Sequence, residues 1–233
     1  MKAHRFTVLE VAPETPRAVS LRLDASGSQL AFTAGQAAMV GLADRRERKP
    51  YSFATAPEEL KRNGLVGFLV EVGPDGEARP NLDGVAPGSV VAVDGPVGGF
   101  RLPRTLPRDL LFIAGGTGIA PLRAMIASAL SRPAPPSITL LYSARTPADF
   151  AFMTEARRLS RQGRLRLRVT ATREAGSAWR GRRGRIRQAW IDALVGGRDP
   201  LCFVCGPEAF VARMIEMLRA AGVAARRIRR ERY

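Results

Sequence analysis

Three glycines and one threonine separate an apolar strand pattern from an apolar helix pattern in the segment LLFIAGGTGIAPLRAMI. Bare backbone N–H groups can approach an anion closely, and the following helix directs its positive end to the same place. Gly115, Gly116, Thr117 and Gly118 are therefore predicted to hold a diphosphate. Pro121 suits the first helical turn, where no N–H is required. The run is neither a Walker loop nor GxGxxG, and a tight structural turn is the alternative.

The two cysteines, Cys202 and Cys205, lie three residues apart in LCFVCG. The segment reads as a strand, in which residues three apart point to opposite faces. His4 is the only histidine, so the chain has few soft ligands for zinc. We expect neither a redox pair nor a metal site.

Positive charge is concentrated in the second half of the chain. The 233 residues carry a net charge of +16, and residues 105–233 hold 24 of the 37 Lys and Arg but only 9 of the 21 Asp and Glu. Such a half is expected to dock an anion: a nucleotide phosphate, an acidic protein or nucleic acid. A general compositional bias towards Arg is the alternative explanation. Nucleic acid is disfavoured because the Arg-rich run near residue 180 lacks interleaved stacking aromatics.

No stretch of the sequence approaches the roughly 20 apolar residues of a membrane span. The N-terminal segment MKAHRFTVLE also lacks the apolar centre of a signal peptide. We therefore expect a cytoplasmic protein with no membrane association.

The first hundred residues contain short apolar runs separated by Gly, Pro, Asp and Ser clusters. In VSLRLD, Val19, Leu21 and Leu23 alternate with polar neighbours, which is typical of a half-buried strand. About six such strands predict a small antiparallel β-barrel over residues 1–104.

The second half alternates strand patterns with helix patterns. The runs LLFIA, SITLLYS, RLRLRVTATR, LCFVCG and RIRRERY read as strands, and helical periodicity follows the first four. One helix is predicted to begin at about residue 147, with Thr146 and Asp149 as a capping box. This alternation predicts a doubly wound parallel α/β sheet over residues 105–233, with the boundary in the proline-interrupted stretch 102–109.

Four motifs together resemble the ferredoxin–NADP reductase family. They are KPYSFATAP at residues 49–57, AGGTGIAP at 114–121, CGP at 205–207 and an aromatic residue ending the last strand. They follow the family's order and spacing over nearly the whole chain. The resemblance implies that the barrel binds FAD and that the α/β domain binds NAD(P)H.

The segment RKPYS resembles the Arg-x-Tyr-Ser element of the family. The resemblance implies that Tyr51 packs on the flavin ring and that Ser52 reaches its N5 region; a core aromatic is the alternative for Tyr51. Lys49 stands where the family has Arg, which keeps the charge but loses the forked geometry of a guanidinium. In the second phosphate element, Arg79 replaces the usual hydroxyl residue. The implied FAD-binding residues are Arg48, Lys49, Pro50, Tyr51, Ser52 and Arg79.

In the α/β domain, the resemblance places the NAD(P)H diphosphate on the glycine loop and the nicotinamide beside Cys205 and Gly206. Glu231 and Tyr233 resemble a carboxylate two residues before a terminal aromatic that shields the flavin and moves aside. A solvated strand charge is the alternative for Glu231. The implied catalytic residues are Ser52, Cys205, Glu231 and Tyr233.

Thr172 and Arg173 resemble the hydroxyl-and-Arg pair that binds the 2′-phosphate of NADP in the family. Arg182 lies where NADP-specific relatives carry a second basic residue, whereas their accompanying Tyr falls on Gly184. Because a further phosphate favours Arg, NADPH is the expected nucleotide and NADH the alternative.

The resemblance implies an FAD-dependent oxidoreductase that moves a hydride from NAD(P)H to FAD and passes electrons to a separate carrier. A ferredoxin, a flavodoxin or an oxygenase component would fit, because two cysteines cannot ligate an iron–sulfur cluster within this chain. Two alternatives stay open. One is a reductase of free flavin, ferric chelates or small molecules; the other is an electron-transfer subunit that acts only in a larger complex.

Overall fold

The computed structural model describes residues 3–73, 78–79, 81–173, 176 and 178–233. The chain forms two compact units, residues 1–103 with 123–131 and residues 104–122 with 132–233. One helix is divided between them after Leu122. The predicted boundary between residues 104 and 105 stays a prediction.

The first unit is an antiparallel sheet of seven strands. Its elements are β1 (His4–Thr15), β2 (Ala18–Asp24), β3 (Ala37–Leu42), β4 (Lys49–Ser52), α1 (Pro57–Asn63), β5 (Leu65–Val72), the two-residue β6 (Ala78–Arg79) and β7 (Val90–Val97). The strand order is β4-β3-β7-β1-β2-β5-β6. An antiparallel bridge between Phe53, just after β4, and Phe68 in β5 closes this order on itself. The predicted β-barrel is confirmed.

Alternation along the strands directs one face into the barrel. In β2, Leu21 and Leu23 are fully buried, whereas Arg22 between them is exposed. Phe53 and Phe68 join them in a single hydrophobic cluster inside the sheet. The two-residue period of apolar side chains thus predicts both the strand and which of its faces is buried.

The second unit is a parallel sheet of six strands with helices between them. Its elements are β8 (Asp109–Gly115), α2 (Ile119–Leu130), β9 (Ser137–Ala144), α3 (Met153–Arg161), β10 (Arg166–Ala171), β11 (Arg182–Arg183), α4 (Gln188–Val195), β12 (Leu201–Gly206), α5 (Glu208–Ala220) and β13 (Ile228–Arg232). The order is β11-β10-β9-β8-β12-β13. The chain runs outwards from β8 on one side and then from β12 on the other, which confirms the predicted doubly wound sheet.

The central strands of this sheet are apolar along their whole length. All six residues of β12 are buried, as are six of the seven in β8. Parallel strands covered on both faces require such continuous apolar runs. The outer strands differ, because Arg182 and Arg183 in β11 and Arg229, Arg230 and Arg232 in β13 are all exposed.

The helix predicted from about residue 147 begins at Met153 instead, so that prediction was wrong. Thr146 and Asp149 do form a capping box, but it caps a single 3-10 turn at Pro147–Asp149. Phe152 then adopts a left-handed φ of 55°, which a continuous helix cannot contain. Within the described part of the chain, no helix is both long and apolar enough to cross a membrane.

Candidate functional site

The glycine loop lies between the first strand and the first helix of the parallel sheet, as its sequence predicted. β8 ends at Gly115, residues 116–118 form one 3-10 turn, and α2 follows from Ile119. Gly116 has a φ of 55°, a conformation that glycine adopts without steric cost. Pro121 is the third residue of α2 and needs no N–H there.

Neighbouring backbone also requires the loop to be bare. A Cβ on Gly118 would lie 2.4 Å from the carbonyl oxygen of Cys205, and one on Gly115 would lie 2.8 Å from the Phe210 ring. Both would collide with β12 or α5. Close packing against the next strand is therefore a second reason for these glycines, besides the approach of an anion.

A cleft of about 360 Å³ opens beside this loop within the second unit. It lies at the carboxyl ends of β8, β9 and β12, where the strand order reverses and where ligands bind in doubly wound sheets. Its lining residues are Gly115, Gly116, Ser143, Ala144, Arg145, Thr172, Arg185, Ile186, Pro207, Ala209, Phe210, Arg213 and Met214. No acidic residue is among these lining residues.

Among the described residues, three arginines line the cleft, and they are not the two that the resemblance implied. Arg145, Arg185 and Arg213 belong to the wall, whereas Arg173 and Arg182 do not. The guanidinium of Arg182 lies over the Trp190 ring, 4.3 Å from its centroid. The sequence analysis missed Arg145 and Arg213. Arg145 directly follows the carboxyl end of β9, which is a usual ligand position.

The four candidate residues at the end of the chain's last two strands lie together. Cys205 on β12 pairs in register with Glu231 on β13, and Gly206 ends β12. The phenol of Tyr233 donates a hydrogen bond of 3.0 Å to the Gly115 carbonyl, although 57% of its surface is exposed. The second unit therefore brings Cys205, Gly206 and Tyr233 to the glycine loop, with Glu231 beside Cys205 on the next strand.

The Cys205 thiol is held in its protonated form. Burial raises its pKa well above the usual range, and the negative charge of Glu231 raises it further. A neutral thiol can contact a flat aromatic ligand without carrying charge into an apolar place.

In the barrel, Tyr51 and Ser52 are consecutive residues of β4. Tyr51 is 9% exposed and belongs to the hydrophobic cluster of the barrel, whereas Ser52 is half-buried. Burial, followed by the charges of Glu71 and Asp83, raises the pKa of the Tyr51 phenol. The burial of Tyr51 in this cluster suits a core aromatic, whereas the Ser52 hydroxyl, on the other face of the strand, remains partly accessible.

The basic residues beside them are already bound within their own turn. Arg48 Nη1 donates to the carbonyls of Leu42 at 3.0 Å and Glu47 at 2.9 Å, and also to that of Arg45. Lys49 Nζ lies 2.9 Å from the Glu47 carboxylate. Pro50 is exposed, and the side chain of Arg79 lies outside the described part of the structure.

Comparison with known proteins covers both units. Residues 8–102 match the oxidoreductase FAD-binding domain, and residues 112–216 match the oxidoreductase NAD-binding domain. Over 97% of its length the chain is 32% identical to ferredoxin–NADP reductase B of Sorangium cellulosum, spanning 96% of that protein. It is 31% identical to the reductase subunit of an aromatic O-demethylase from Amycolatopsis, spanning 68% of it. The structure resembles the Amycolatopsis cytochrome P450 reductase with a TM-score of 0.84 and 27% identity, covering 99% of this chain and 70% of that one.

Proposed function

The chain belongs to the ferredoxin–NADP reductase family of FAD- and NAD-binding oxidoreductases, and we propose that it oxidises NADPH and delivers the electrons to a separate carrier protein. When bound, FAD supplies the redox chemistry that this requires, because it accepts electrons in pairs and releases them singly. The protein's own part is to bind both cofactors, orient them and hold protons.

The arginine-lined cleft is the observation that favours NADPH over NADH as the nucleotide. Arg145, Arg185 and Arg213 face one ligand volume beside the glycine loop, and none of the lining residues that the structure describes is acidic. A carboxylate there would favour the free 2′-hydroxyl of NADH, whereas guanidinium groups favour the 2′-phosphate of NADPH. Thr172 stands in the same wall and supplies a hydroxyl.

The glycine loop would take the diphosphate of the nucleotide. Gly115, Gly116, Thr117 and Gly118 bring backbone N–H groups to the first turn of α2, whose dipole favours negative charge. The contribution of Arg173 and Arg182 stays a prediction. Arg182 would have to leave Trp190 to bind the 2′-phosphate, so Arg185 is the stronger candidate in that segment.

The barrel would take FAD through β4. Tyr51 would offer its ring face and Ser52 its hydroxyl to the flavin. Binding of the FAD diphosphate by Lys49 or Arg48 would require release of their present partners, which makes weak FAD binding an expected property of this chain. Cys205, Glu231 and Tyr233 would act at the nicotinamide, the first as a neutral contact, the second as a proton holder and the third as a movable cover.

A separate carrier is supported by the relatives and by charge. The relatives are themselves a ferredoxin–NADP reductase and a reductase subunit. A ferredoxin, a flavodoxin or an oxygenase component with an acidic surface would be steered by the basic second half of the chain.

The visible spectrum of the purified protein, with and without added FAD, tests the proposal. We expect a flavin spectrum that NADPH bleaches faster than NADH does. We also expect an added ferredoxin to be reduced only when FAD and NADPH are both present. Arg185→Gln is expected to lower the preference for NADPH about tenfold. Arg187→Gln, at an exposed arginine of the same run that is not among the cleft-lining residues, is its matched control. A protein that binds no FAD would refute the proposal. Faster bleaching by NADH would refute the NADPH assignment, and full activity with free flavin alone would favour the small-molecule reductase.

A further inference from the structure

Tyr142 is a fully buried residue of β9, and its hydroxyl binds two backbone groups at once. It donates a hydrogen bond of 3.1 Å to the Gly116 carbonyl in the glycine loop. It accepts one of 3.1 Å from the Ala151 N–H. The ring meets Phe150 edge-on, with centroids 4.9 Å apart. A phenylalanine would fill the same apolar space, so the hydroxyl serves the two backbone groups rather than the packing.

Two hydrogen bonds to the Gly116 carbonyl set which way one peptide of the loop faces. The Ile119 N–H donates one from the start of α2, and the Tyr142 hydroxyl donates the other from β9. In a trans peptide the carbonyl of one residue and the N–H of the next point in opposite directions. Because the Gly116 carbonyl points at the buried Tyr142, the Thr117 N–H points away from it. Gly116 has no Cβ, so local sterics hold this peptide weakly, and the backbone bond from Ile119 belongs to a single 3-10 turn.

We propose that Tyr142 is a positioning residue for nucleotide binding: it fixes the Gly116–Thr117 peptide so that the Thr117 N–H is presented to the nucleotide diphosphate. This rests on the proposed binding of a dinucleotide at the glycine loop. Tyr142 touches no ligand in this scheme. It lowers the cost of binding because the donor is already oriented before the diphosphate arrives.

The test uses two ligands that differ in the diphosphate. NADP⁺ carries it, whereas adenosine 2′-monophosphate offers the adenosine and the 2′-phosphate without it. For Tyr142→Phe, we expect titration calorimetry to show NADP⁺ binding weakened about five- to tenfold, as for one lost hydrogen bond. Binding of adenosine 2′-monophosphate should stay within about twofold of the wild type.

Gln188→Met is the matched control. It removes two side-chain hydrogen bonds, of 2.9 Å to the Met217 carbonyl and of 2.8 Å to the Asp192 carboxylate, in the same unit but outside the cleft lining. The affinities of this variant for NADP⁺ and for adenosine 2′-monophosphate should change little and by the same factor. Equal weakening of both ligands by Tyr142→Phe would mean general loosening of the cleft and would overturn the inference, as would unchanged NADP⁺ affinity. Failure of the wild type to bind NADP⁺ would instead refute the proposed function.

A measurement on the wild type keeps the test decisive if the phenylalanine variant does not fold. Nitrogen-15 NMR reports the surroundings of each backbone N–H, and the Thr117 N–H is the donor that the inference assigns to the diphosphate. Its resonance should shift strongly when NADP⁺ binds and little when adenosine 2′-monophosphate binds. A Thr117 resonance that responds equally to both bound ligands, or to neither, would overturn the inference.

Discussion

Replacing Gly118 by Ala would force the glycine loop away from β12. The new Cβ would lie 2.4 Å from the Cys205 carbonyl oxygen, 2.5 Å from its carbonyl carbon and 2.7 Å from the Gly206 nitrogen. All three are backbone atoms of a buried central strand, so no side-chain rotation can make room. The loop and the strand would have to separate by about 0.6 Å to reach 3.0 Å, the shortest approach of real Cβ atoms.

The structure places this cost towards the upper end of the usual range. Overpacking a rigid core costs about 1–3 kcal/mol, and here both sides of the contact are backbone. Since each kcal/mol lowers the melting temperature of a chain of this size by about 2–4 °C, we expect a fall of about 5–10 °C. The displaced N–H groups should also weaken NADP⁺ binding, by about tenfold.

Scanning fluorimetry and titration calorimetry on the same preparations would measure both effects. Gly176→Ala is the matched control, because no described atom lies within 4 Å of a Cβ at that exposed position and its φ is not positive. If Gly118→Ala melted and bound NADP⁺ like Gly176→Ala, the argument from close packing between the loop and β12 would be wrong.

Two further perturbations probe charge and burial. Burial raises the pKa of the Cys202 thiol to about 12 and also raises that of Cys205, so the reactive thiolate is scarce at mildly alkaline pH. By mass spectrometry, we expect iodoacetamide to alkylate neither cysteine until the protein unfolds. Rapid labelling of the folded protein would contradict this. In the first unit, Arg123 binds Glu59 through two contacts of 3.0 Å, and both side chains are about one-fifth exposed. Arg123→Ala should therefore lower the free energy of unfolding, measured by urea titration, by about 2–4 kcal/mol. Arg22→Ala, which breaks an ion pair with both partners about half exposed, should cost less than about 1 kcal/mol, and equal losses would refute the burial argument.

The fold was predictable where periodicity is strong. Val19, Leu21 and Leu23 alternate along β2, and the apolar runs of β8 and β12 match strands covered on both faces. The start of α3 was not predictable, because the signals at Thr146 and Asp149 are genuine but serve a shorter turn. The residue types around Phe152 do not predict its left-handed backbone conformation, which separates this turn from the helix.

The candidate site was predictable in its backbone and less so in its side chains. The glycine loop depends on residues adjacent in sequence, so its composition is sufficient to locate it. The cleft wall instead joins Arg145, Arg185 and Arg213 from three separate segments, and only the tertiary fold brings them together. The engagement of Arg48 by three carbonyls of its own turn likewise depends on a loop conformation that residue types do not specify.

The arginines on the two outermost strands of the parallel sheet have a consequence for self-association. A strand with one unpaired side offers a row of N–H and C=O groups to any other strand, including that of another copy of the protein. Bringing two such borders together here would crowd like guanidinium charges and strip them of water, at a cost that backbone hydrogen bonds would have to repay. We therefore expect part of the chain's positive charge to oppose fibril-like growth from the edges of the sheet. A concentrated solution is expected to lose that protection as added salt screens the repulsion.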